Sequence, residues 1–228
     1  MTYRPGEIIS WIDREYAKRA ERGSVRSRHA CRPERQGLCA VIEDMRSLFN
    51  VGAIFRSADG AGFGKIHLCG ITATPPRKEI AKTSLGAEDH VAWEYHPTAA
   101  AALVGLKRDG HFLVGLEIKP DSRLLSDVIL DHDLNYPLAL VVGNEVDGLS
   151  AEAQALSDTV CHLPMRGHKE SLNAAVAFGI AAYALAEGVE RGFIAVGAAE
   201  NTGGERLTSG SAGTPRPSGD MPSPAISD

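Results

Sequence analysis

The chain has 228 residues, of which 43% are hydrophobic, and this is ample for the core of one large or two small domains. It has no signal-peptide h-region and no apolar run long enough to span a bilayer, so we expect no membrane segment. Its four cysteines include no C-x-x-C pair, which indicates neither a zinc site nor a thioredoxin-like motif. Together these features predict a cytoplasmic protein.

The net charge of −5 is unevenly distributed along the chain. Residues 1–37 contain nine Lys or Arg against five Asp or Glu, a charge of +4, which leaves −9 for the remaining residues. A basic cluster of this kind attracts phosphate backbones and releases counterions on binding. The composition therefore indicates either a solvated, partly disordered face or an arm that binds phosphates.

The predicted elements begin with a short amphipathic helix at residues 8–22, followed by a polar, Arg-rich linker at residues 23–36. Short apolar strands then alternate with helices. The strands are predicted at residues 38–42, 65–69, 90–95, 112–116, 138–142 and 159–163. The helices are predicted at residues 50–61 and 98–108, after Ser150, and at residues 171–191. This alternation predicts an α/β domain with a mostly parallel sheet that is covered by helices on both faces.

The composition changes again near the end of the chain. Residues 201–228 contain five Gly, five Ser, four Pro and three Thr, and such a segment buries too little apolar surface to offset the entropy cost of ordering. We therefore divide the chain into a basic N-terminal helix and arm (residues 1–37), an α/β domain (residues 38–195) and a disordered Gly/Ser/Pro-rich tail (residues 196–228).

The first block with chemical character runs from Asn50 to Arg56. Asn50 precedes a predicted helix, where its side chain can accept a hydrogen bond from backbone N–H groups as an N-cap. Arg56 lies among Ile54, Phe55 and Ala58, and a guanidinium that is even partly buried there needs an anionic partner. A phosphate or a developing alkoxide would satisfy it, because the planar guanidinium matches oxyanions well.

Two further blocks follow buried strands. Residues 142–149 read V-G-N-E-V-D-G-L directly after a strand, and in open α/β sheets ligands bind at the carboxyl ends of the strands. Within this block, Glu145 has the alternative role of capping a helix that begins near Leu149. Residues 162–173 read H-L-P-M-R-G-H-K-E-S-L-N, and Ser171 is a natural N-cap for the final helix.

In this order the three blocks resemble the signature motifs of the SPOUT class of RNA methyltransferases. The closest branch is the SpoU/TrmH-like group, which methylates ribose 2′-hydroxyls, and the resemblance covers roughly residues 38–185. It implies S-adenosyl-L-methionine as the methyl donor, RNA as the substrate, a deep C-terminal trefoil knot and a homodimer with the final helix at its interface. The chain departs from the family pattern at Lys169, where an apolar residue is usual, and at Ala175, where a hydroxyl is usual.

The resemblance also implies roles for particular residues of this chain. Arg56 would hold the RNA phosphate and stabilise the incipient alkoxide, while the proton acceptor stays open. The implied catalytic residues are Asn50, Arg56, Glu145, Ser171 and Asn173. The implied cofactor-binding residues are Val142, Gly143, Leu163, Met165, Gly167 and Leu172.

The sequence therefore predicts an S-adenosyl-L-methionine-dependent RNA 2′-O-ribose methyltransferase. The N-terminal segment of about 37 residues is too short for an ordinary separate RNA-binding domain, which favours tRNA over ribosomal RNA (rRNA) as the substrate. Two alternatives are a non-catalytic RNA-binding or assembly factor with the same fold and a base methyltransferase of the same superfamily. No metal is expected, because the histidines in or beside strands have no metal-ligand spacing and read as core or edge residues: His67, His90, His111 and His162.

Overall fold

The structure, a computed structural model, describes residues 37–196. The predicted N-terminal helix, the basic arm up to residue 36 and the tail from residue 197 onward lie outside the described residues. Within residues 37–196, no helix combines the length and the hydropathy needed to cross a membrane. Cys39, Cys69 and Cys161 are buried in this part of the chain and form no disulfide bond with one another.

Nine strands and six α-helices form in the described part of the chain. The strands are β1 (Leu38–Glu43), β2 (Lys65–Cys69), β3 (Ala92–His96), β4 (Phe112–Leu116), β5 (Arg123–Leu124), β6 (Asn135–Tyr136), β7 (Leu138–Val142), β8 (Thr159–His162) and β9 (Ala195–Val196). The helices are α1 (Leu48–Gly60), α2 (Lys78–Ser84), α3 (Ala99–Arg108), α4 (Leu125–Leu130), α5 (Ala151–Leu156) and α6 (Ala174–Glu190), with a short 3₁₀ helix at Ala87–Asp89.

Seven of these strands form one sheet in the order β3-β2-β1-β7-β4-β8-β5, and each neighbouring pair is parallel. The adjacent strands β1 and β7 are buried along their whole length, as expected where both faces of a sheet are covered. Strands β6 and β9 pair separately, also in parallel. The predicted α/β architecture with a mostly parallel sheet is therefore confirmed. Strand order and register do not report on threading, so the knot stays a prediction.

Alternate residues of β1 enter two separate cores. Ile42 lies in one core with Phe55 of α1 and Phe178 of α6. Val41 lies in the other core with Leu103 of α3. Since successive side chains of a strand point to opposite faces, helices cover this sheet on both sides. Burial of each such side chain stabilises the fold by roughly 1.5–3 kcal/mol, so α1 and α6 are firmly attached to the sheet.

The caps of two helices differ from the predicted ones. Helix α1 begins after Ser47, whose hydroxyl accepts a hydrogen bond from the Asn50 backbone N–H at 3.3 Å, so the prediction of Asn50 as N-cap is wrong. Helix α6 begins after Asn173, which is its N-cap, so the prediction of Ser171 as N-cap is also wrong. In both cases the cap is the residue whose side-chain oxygen reaches the unpaired N–H groups of the first turn. The side chain of Asn50 is therefore available for contacts outside its own helix.

Candidate active site

A cavity of about 470 Å³, here termed the sheet-end cavity, opens at the carboxyl ends of β4, β7 and β8. This is the edge at which open α/β sheets bind ligands, and the volume lies within the usual range of small-molecule sites. Five of the six predicted cofactor-binding residues line it: Val142, Gly143, Leu163, Met165 and Leu172. The fold therefore brings the second and third sequence blocks together around one space.

The loop from Gly143 to Gly148 is a tight turn in the wall of this cavity. Asn144 and Gly148 exchange backbone hydrogen bonds of 3.2 Å, and the Asn144 Oδ1 accepts from the backbone N–H groups of Val146 and Asp147 at 2.8 Å each. A Cβ atom on Gly143 would lie 2.0 Å from the Gly148 carbonyl group, so only glycine fits there. Gly148 has a φ of 68°, in the left-handed region that favours glycine. The turn therefore has one well-defined conformation.

Glu145 projects from this turn and binds the start of α1. Its Oε2 accepts from the Arg46 backbone N–H at 3.1 Å, and its Oε1 accepts from the Ser47 backbone N–H at 2.9 Å and from the Asn50 Nδ2 at 2.8 Å. Partial burial alone would raise the pKa of Glu145, but the hydrogen bonds favour the carboxylate and lower its pKa below the ordinary value. Glu145 is therefore an anion at the N-terminal end of α1, and the alternative of a cap on the helix near Leu149 is wrong.

A chain of side-chain hydrogen bonds joins all three sequence blocks. Asn50 donates from Nδ2 to Glu145 and accepts at Oδ1 from the Asn173 Nδ2 at 3.1 Å. The Asn173 Oδ1 in turn accepts from the backbone N–H groups of Ala175 and Val176, at 3.0 and 3.3 Å, and so caps α6. A carboxylate only accepts and a backbone N–H only donates, so the direction is fixed at both ends. Reversing either amide would bring two donors or two acceptors face to face, so each amide has one favoured orientation.

The sheet-end cavity has a negative lining. Glu117 and Glu145 are among its lining residues, and none of the described residues that line it is Lys or Arg. Glu117 follows β4, and its Oε2 accepts from the Leu149 backbone N–H at 2.8 Å. The cavity therefore favours a ligand with positive charge and disfavours one with several phosphates.

A second cavity of about 520 Å³, here termed the helix groove, is lined mainly by α1 and α6. Asn50 and Asn173 both line it, together with apolar residues such as Phe49 and Ile180. Asn173 lines the sheet-end cavity as well, so the two cavities share this residue. The hydrogen-bonded chain from Glu145 through Asn50 to Asn173 therefore borders both spaces.

Arg56 is exposed on α1 and lines neither of these cavities. Its neighbours Ile54, Phe55 and Ala58 are buried in the core, but Arg56 points away from them. Arg56 is not buried, so the prediction that burial gives it an anionic partner is wrong. Helical spacing puts Arg56 on the same face of α1 as Phe49, which lines the helix groove. Its guanidinium is thus exposed to solvent on the groove side of the helix.

The structure brings most of the predicted site residues to one place. Glu145, Ser171 and Asn173 line the sheet-end cavity, and Asn50 is joined to two of them by hydrogen bonds. Gly167 lines neither cavity, and a Cβ atom there would meet nothing within 4 Å. The catalytic and cofactor-binding roles of these residues stay predictions.

Sequence reasoning misses two carboxylates that support this site. Glu117 holds the turn at Gly148, and Glu43, buried at the end of β1, accepts from the Ser150 backbone N–H at 2.9 Å. Both carboxylates stand where a buried apolar strand ends. A carboxylate at the carboxyl end of a parallel strand is the signal in the sequence that finds them.

Residues 37–183 match the model of the SpoU rRNA Methylase family. The chain belongs to this family. The match includes all three sequence blocks and continues into α6, so it contains the whole sheet-end cavity. The predicted resemblance to SpoU/TrmH-like enzymes is therefore confirmed.

The chain is also similar to named members of the family. It is 33% identical over 150 residues to the 23S rRNA (guanosine-2′-O-)-methyltransferase RlmB of Xylella fastidiosa, a match that covers 64% of this chain and 56% of that protein. It is 29% identical over 163 residues to the tRNA (guanosine(18)-2′-O)-methyltransferase of Thermus thermophilus, with 72% of this chain and 81% of that protein covered. Its fold matches the SpoU methyltransferase AviRb of Streptomyces viridochromogenes in complex with the cofactor AdoMet, with a TM-score of 0.59, 26% identity and coverage of 70% of this chain and 64% of that one. The chain spans little more than half the length of several curated relatives that it matches.

Proposed function

We propose that the protein transfers a methyl group from S-adenosyl-L-methionine to a ribose 2′-hydroxyl of RNA. The observation that carries this proposal is the hydrogen-bonded chain of Glu145, Asn50 and Asn173, which joins all three family blocks beside a ligand-sized cavity. Relatives named as tRNA and 23S rRNA 2′-O-methyltransferases support the reaction type. A structural neighbour solved with AdoMet supports the methyl donor.

The sheet-end cavity fits the methyl donor in both surface and charge. Val142, Leu163, Met165 and Leu172 offer an apolar surface to the adenine, and Gly143 lines the cavity without a side chain. The negative lining favours the positively charged sulfonium group. When bound, S-adenosyl-L-methionine supplies an electrophilic methyl group.

Transfer breaks the bond between the methyl carbon and the sulfonium sulfur, forms a bond to the ribose 2′-oxygen and releases the hydroxyl proton. We assign alignment of the two reactants to this protein, in a site that excludes water. Asn173 lines both cavities, so it is suited to contact the ribose, and its bond to Asn50 fixes its orientation. Arginine stays protonated in proteins, so we assign Arg56 to an RNA phosphate and to the developing alkoxide rather than to proton removal. The proton acceptor stays open.

Transfer RNA is the favoured substrate of this proposal. The tRNA-directed relative from Thermus thermophilus is matched over 81% of its length, whereas the 23S rRNA-directed relative from Xylella fastidiosa is matched over 56%. Cytoplasmic location is part of the same proposal, because the RNA substrate is found there.

We also propose a homodimer through α6. Val176, Ile180 and Tyr183 recur at helical spacing with exposures of 51%, 48% and 56%, and Phe49 of α1 adds to this apolar surface at 49%. A second copy of the same surface would cover it symmetrically. Ile180→Glu is expected to shift the protein toward monomer in sedimentation, whereas Val104→Glu on α3, at a comparably exposed apolar position, is not. A dimer that survives Ile180→Glu would contradict this interface.

Transfer of labelled methyl from S-adenosyl-L-methionine to bulk tRNA, and separately to rRNA, tests the proposed activity. Incorporation into an alkali-resistant dinucleotide is expected, because a methylated 2′-oxygen can no longer attack the adjacent phosphate. Arg56→Ala is expected to abolish transfer and to leave donor binding intact, since Arg56 lies outside the sheet-end cavity. Arg108→Ala on α3 removes another exposed arginine and serves as the control. Loss of donor binding in Arg56→Ala would contradict its assigned role.

Three other outcomes of this assay have distinct meanings. RNA binding without transfer, unaffected by the donor, would identify a non-catalytic RNA-binding or assembly factor. Label recovered on a base after alkaline hydrolysis would identify a base methyltransferase of the same superfamily. Absence of donor binding would refute the proposed enzyme.

A further inference from the structure

Two histidines and a carboxylate lie close together on β2 and β3, at the edge of the sheet that β1 separates from the strands of the candidate active site. His67 of β2 is paired in register with Glu94 of β3, and His96 follows Glu94 on the same face of the strand. The His67 Nδ1 lies 2.9 Å from the His96 Nε2, and the His96 Nε2 lies 3.9 Å from the Glu94 Oε2. One ligand atom from each residue falls within 4.8 Å of the other two. The three side chains are therefore close enough together to bind one ion after small rotations.

This set of donors is suited to a transition-metal ion. Imidazole nitrogen and carboxylate oxygen are usual ligands of Zn²⁺, and two histidines with one glutamate leave a fourth position for water. Tetrahedral Zn²⁺ with Zn–N bonds of about 2.0–2.1 Å places two nitrogens roughly 3.3 Å apart. The 2.9 Å separation between His67 and His96 therefore has to widen by only ~0.4 Å, which small side-chain rotations supply.

The cluster is both rigid and accessible. Its three residues lie on neighbouring strands held by a parallel ladder, so their backbones are fixed before any ion binds. His67 is 6% exposed, whereas the side chains of His96 and Glu94 are 20% and 14% exposed. An ion can therefore reach the last two ligands from solvent, with His67 at the inner side.

Lys65 places a positive charge beside the cluster. Its Nζ lies 2.7 Å from the Glu94 Oε2, and its side chain is 35% exposed. A carboxylate has two oxygens, so Glu94 can contact Lys65 and an ion together. The ammonium nevertheless repels a cation, so removing it is expected to strengthen metal binding. A cluster that serves only as a hydrogen-bond network would not gain metal affinity in this way.

We propose that His67, Glu94 and His96 bind a divalent transition-metal ion, and that Zn²⁺ is the best match to this ligand set. The ion would join β3 to β2 and stabilise this edge of the sheet. It would take no part in methyl transfer. Sequence spacing does not predict the cluster, because the register between β2 and β3 is what brings His67 to Glu94. The site differs from the sequence-based expectation that no metal is bound.

Titration of the full-length protein with Co²⁺ and then Zn²⁺ tests this site. One Co²⁺ per chain is expected, with the visible absorption of a four-coordinate ion and without a thiolate charge-transfer band, and Zn²⁺ is expected to displace it. The absence of a thiolate band separates this site from any site formed by cysteines. His96→Gln and Glu94→Gln are each expected to lower the affinity more than about tenfold, and Lys65→Gln to raise it. His90→Gln changes an exposed histidine outside the cluster and is expected to leave the affinity unchanged.

The melting temperature gives a second readout. At a Zn²⁺ concentration about a hundredfold above Kd, we expect a rise of roughly 5–10 °C in the unchanged chain and little rise in His96→Gln. Absence of Co²⁺ and Zn²⁺ binding by the unchanged chain would overturn the proposal. Binding that persists undiminished in both ligand variants, or that carries a thiolate band, would overturn it as well. Neither measurement involves methyl transfer, so the outcome is independent of the proposed activity.

Discussion

Asn173 has two structural contacts that one pair of substitutions can separate. Its Oδ1 caps α6 by accepting from two backbone N–H groups, and its Nδ2 donates to the Asn50 Oδ1. Asn173→Ala removes both contacts. Loss of an N-cap costs about 1 kcal/mol and loss of an exposed hydrogen bond about 0.5–1 kcal/mol. We therefore expect the free energy of unfolding to fall by roughly 1.5–2 kcal/mol, which lowers the melting temperature by roughly 3–8 °C in a chain of this size.

Asn173→Asp removes only the second contact. Its carboxylate still accepts from the first turn of α6 and also interacts favourably with the helix dipole. It cannot donate to the Asn50 Oδ1, and a reversed Asn50 amide would turn its oxygen toward Glu145 instead. We therefore expect a loss below about 1 kcal/mol, because the cap is retained.

Urea denaturation and methyl transfer, measured on the same samples, check both contacts. Methyl transfer is expected to fall in both variants, since each breaks the chain from Glu145 to Asn173, while stability falls mainly in Asn173→Ala. Equal destabilisation by Ala and Asp would refute the assigned cap. Full transfer activity in Asn173→Asp would refute the role of the hydrogen-bonded chain in catalysis.

Three further predictions concern the wall of the sheet-end cavity. Gly143→Ala puts a Cβ atom 2.0 Å from the Gly148 carbonyl group, so we expect calorimetry to show loss of donor binding. The control is Gly105→Ala, whose Cβ atom has open space around it, and it is expected to leave donor binding unchanged. Glu117→Gln removes a negative charge, so S-adenosyl-L-methionine is expected to bind several-fold more weakly. The affinity for S-adenosylhomocysteine, which lacks the sulfonium charge, is expected to change less. Equal changes in the two affinities would contradict a role for the Glu117 charge. The lowered pKa of Glu145 adds stability that is present above about pH 4.5 and is lost as the pH falls through the lowered value. The melting temperatures of the unchanged chain and of Glu145→Gln are therefore expected to differ by a constant amount near neutral pH. In acid this difference is expected to shrink.

The sheet could be predicted because strands such as β1, β4 and β7 are short apolar runs with clear ends. Strands β4 and β7 have the predicted bounds. The strand predicted at residues 90–95 begins instead at Ala92, because a 3₁₀ helix at Ala87–Asp89 ends just before it. Strands β5 and β6 were beyond prediction, since two residues carry no periodicity.

The site was predictable as a set of residues but not as a set of contacts. Ser47 and Asn50 are both good cap residues and lie three positions apart, so the local pattern cannot choose between them. The choice depends on Glu145, which is distant in the sequence and binds the Asn50 side chain only in the folded chain. The environment of Arg56 was also not predictable from its local sequence. Its apolar neighbours along the sequence are buried in the core, whereas its own guanidinium is exposed. Consecutive residues of a helix point their side chains in different directions, so burial of one does not imply burial of the next.

The distribution of charge assigns the proposed methyl donor and the proposed RNA substrate to different parts of the chain. Residues 38–196 contain 13 Lys or Arg against 20 Asp or Glu, a net charge of −7, and the sheet-end cavity within them has carboxylates in its lining. Such a domain attracts a cationic donor and, away from exposed basic side chains such as Arg56, repels a polyanion. In the proposed reaction we therefore expect those side chains and residues 1–37, which carry +4, to attract the RNA phosphates. The proposed methyl transfer removes the positive charge of the sulfonium, so we expect the negative cavity to bind the demethylated product less strongly than the methyl donor. The charge that favours donor binding would then also favour product release.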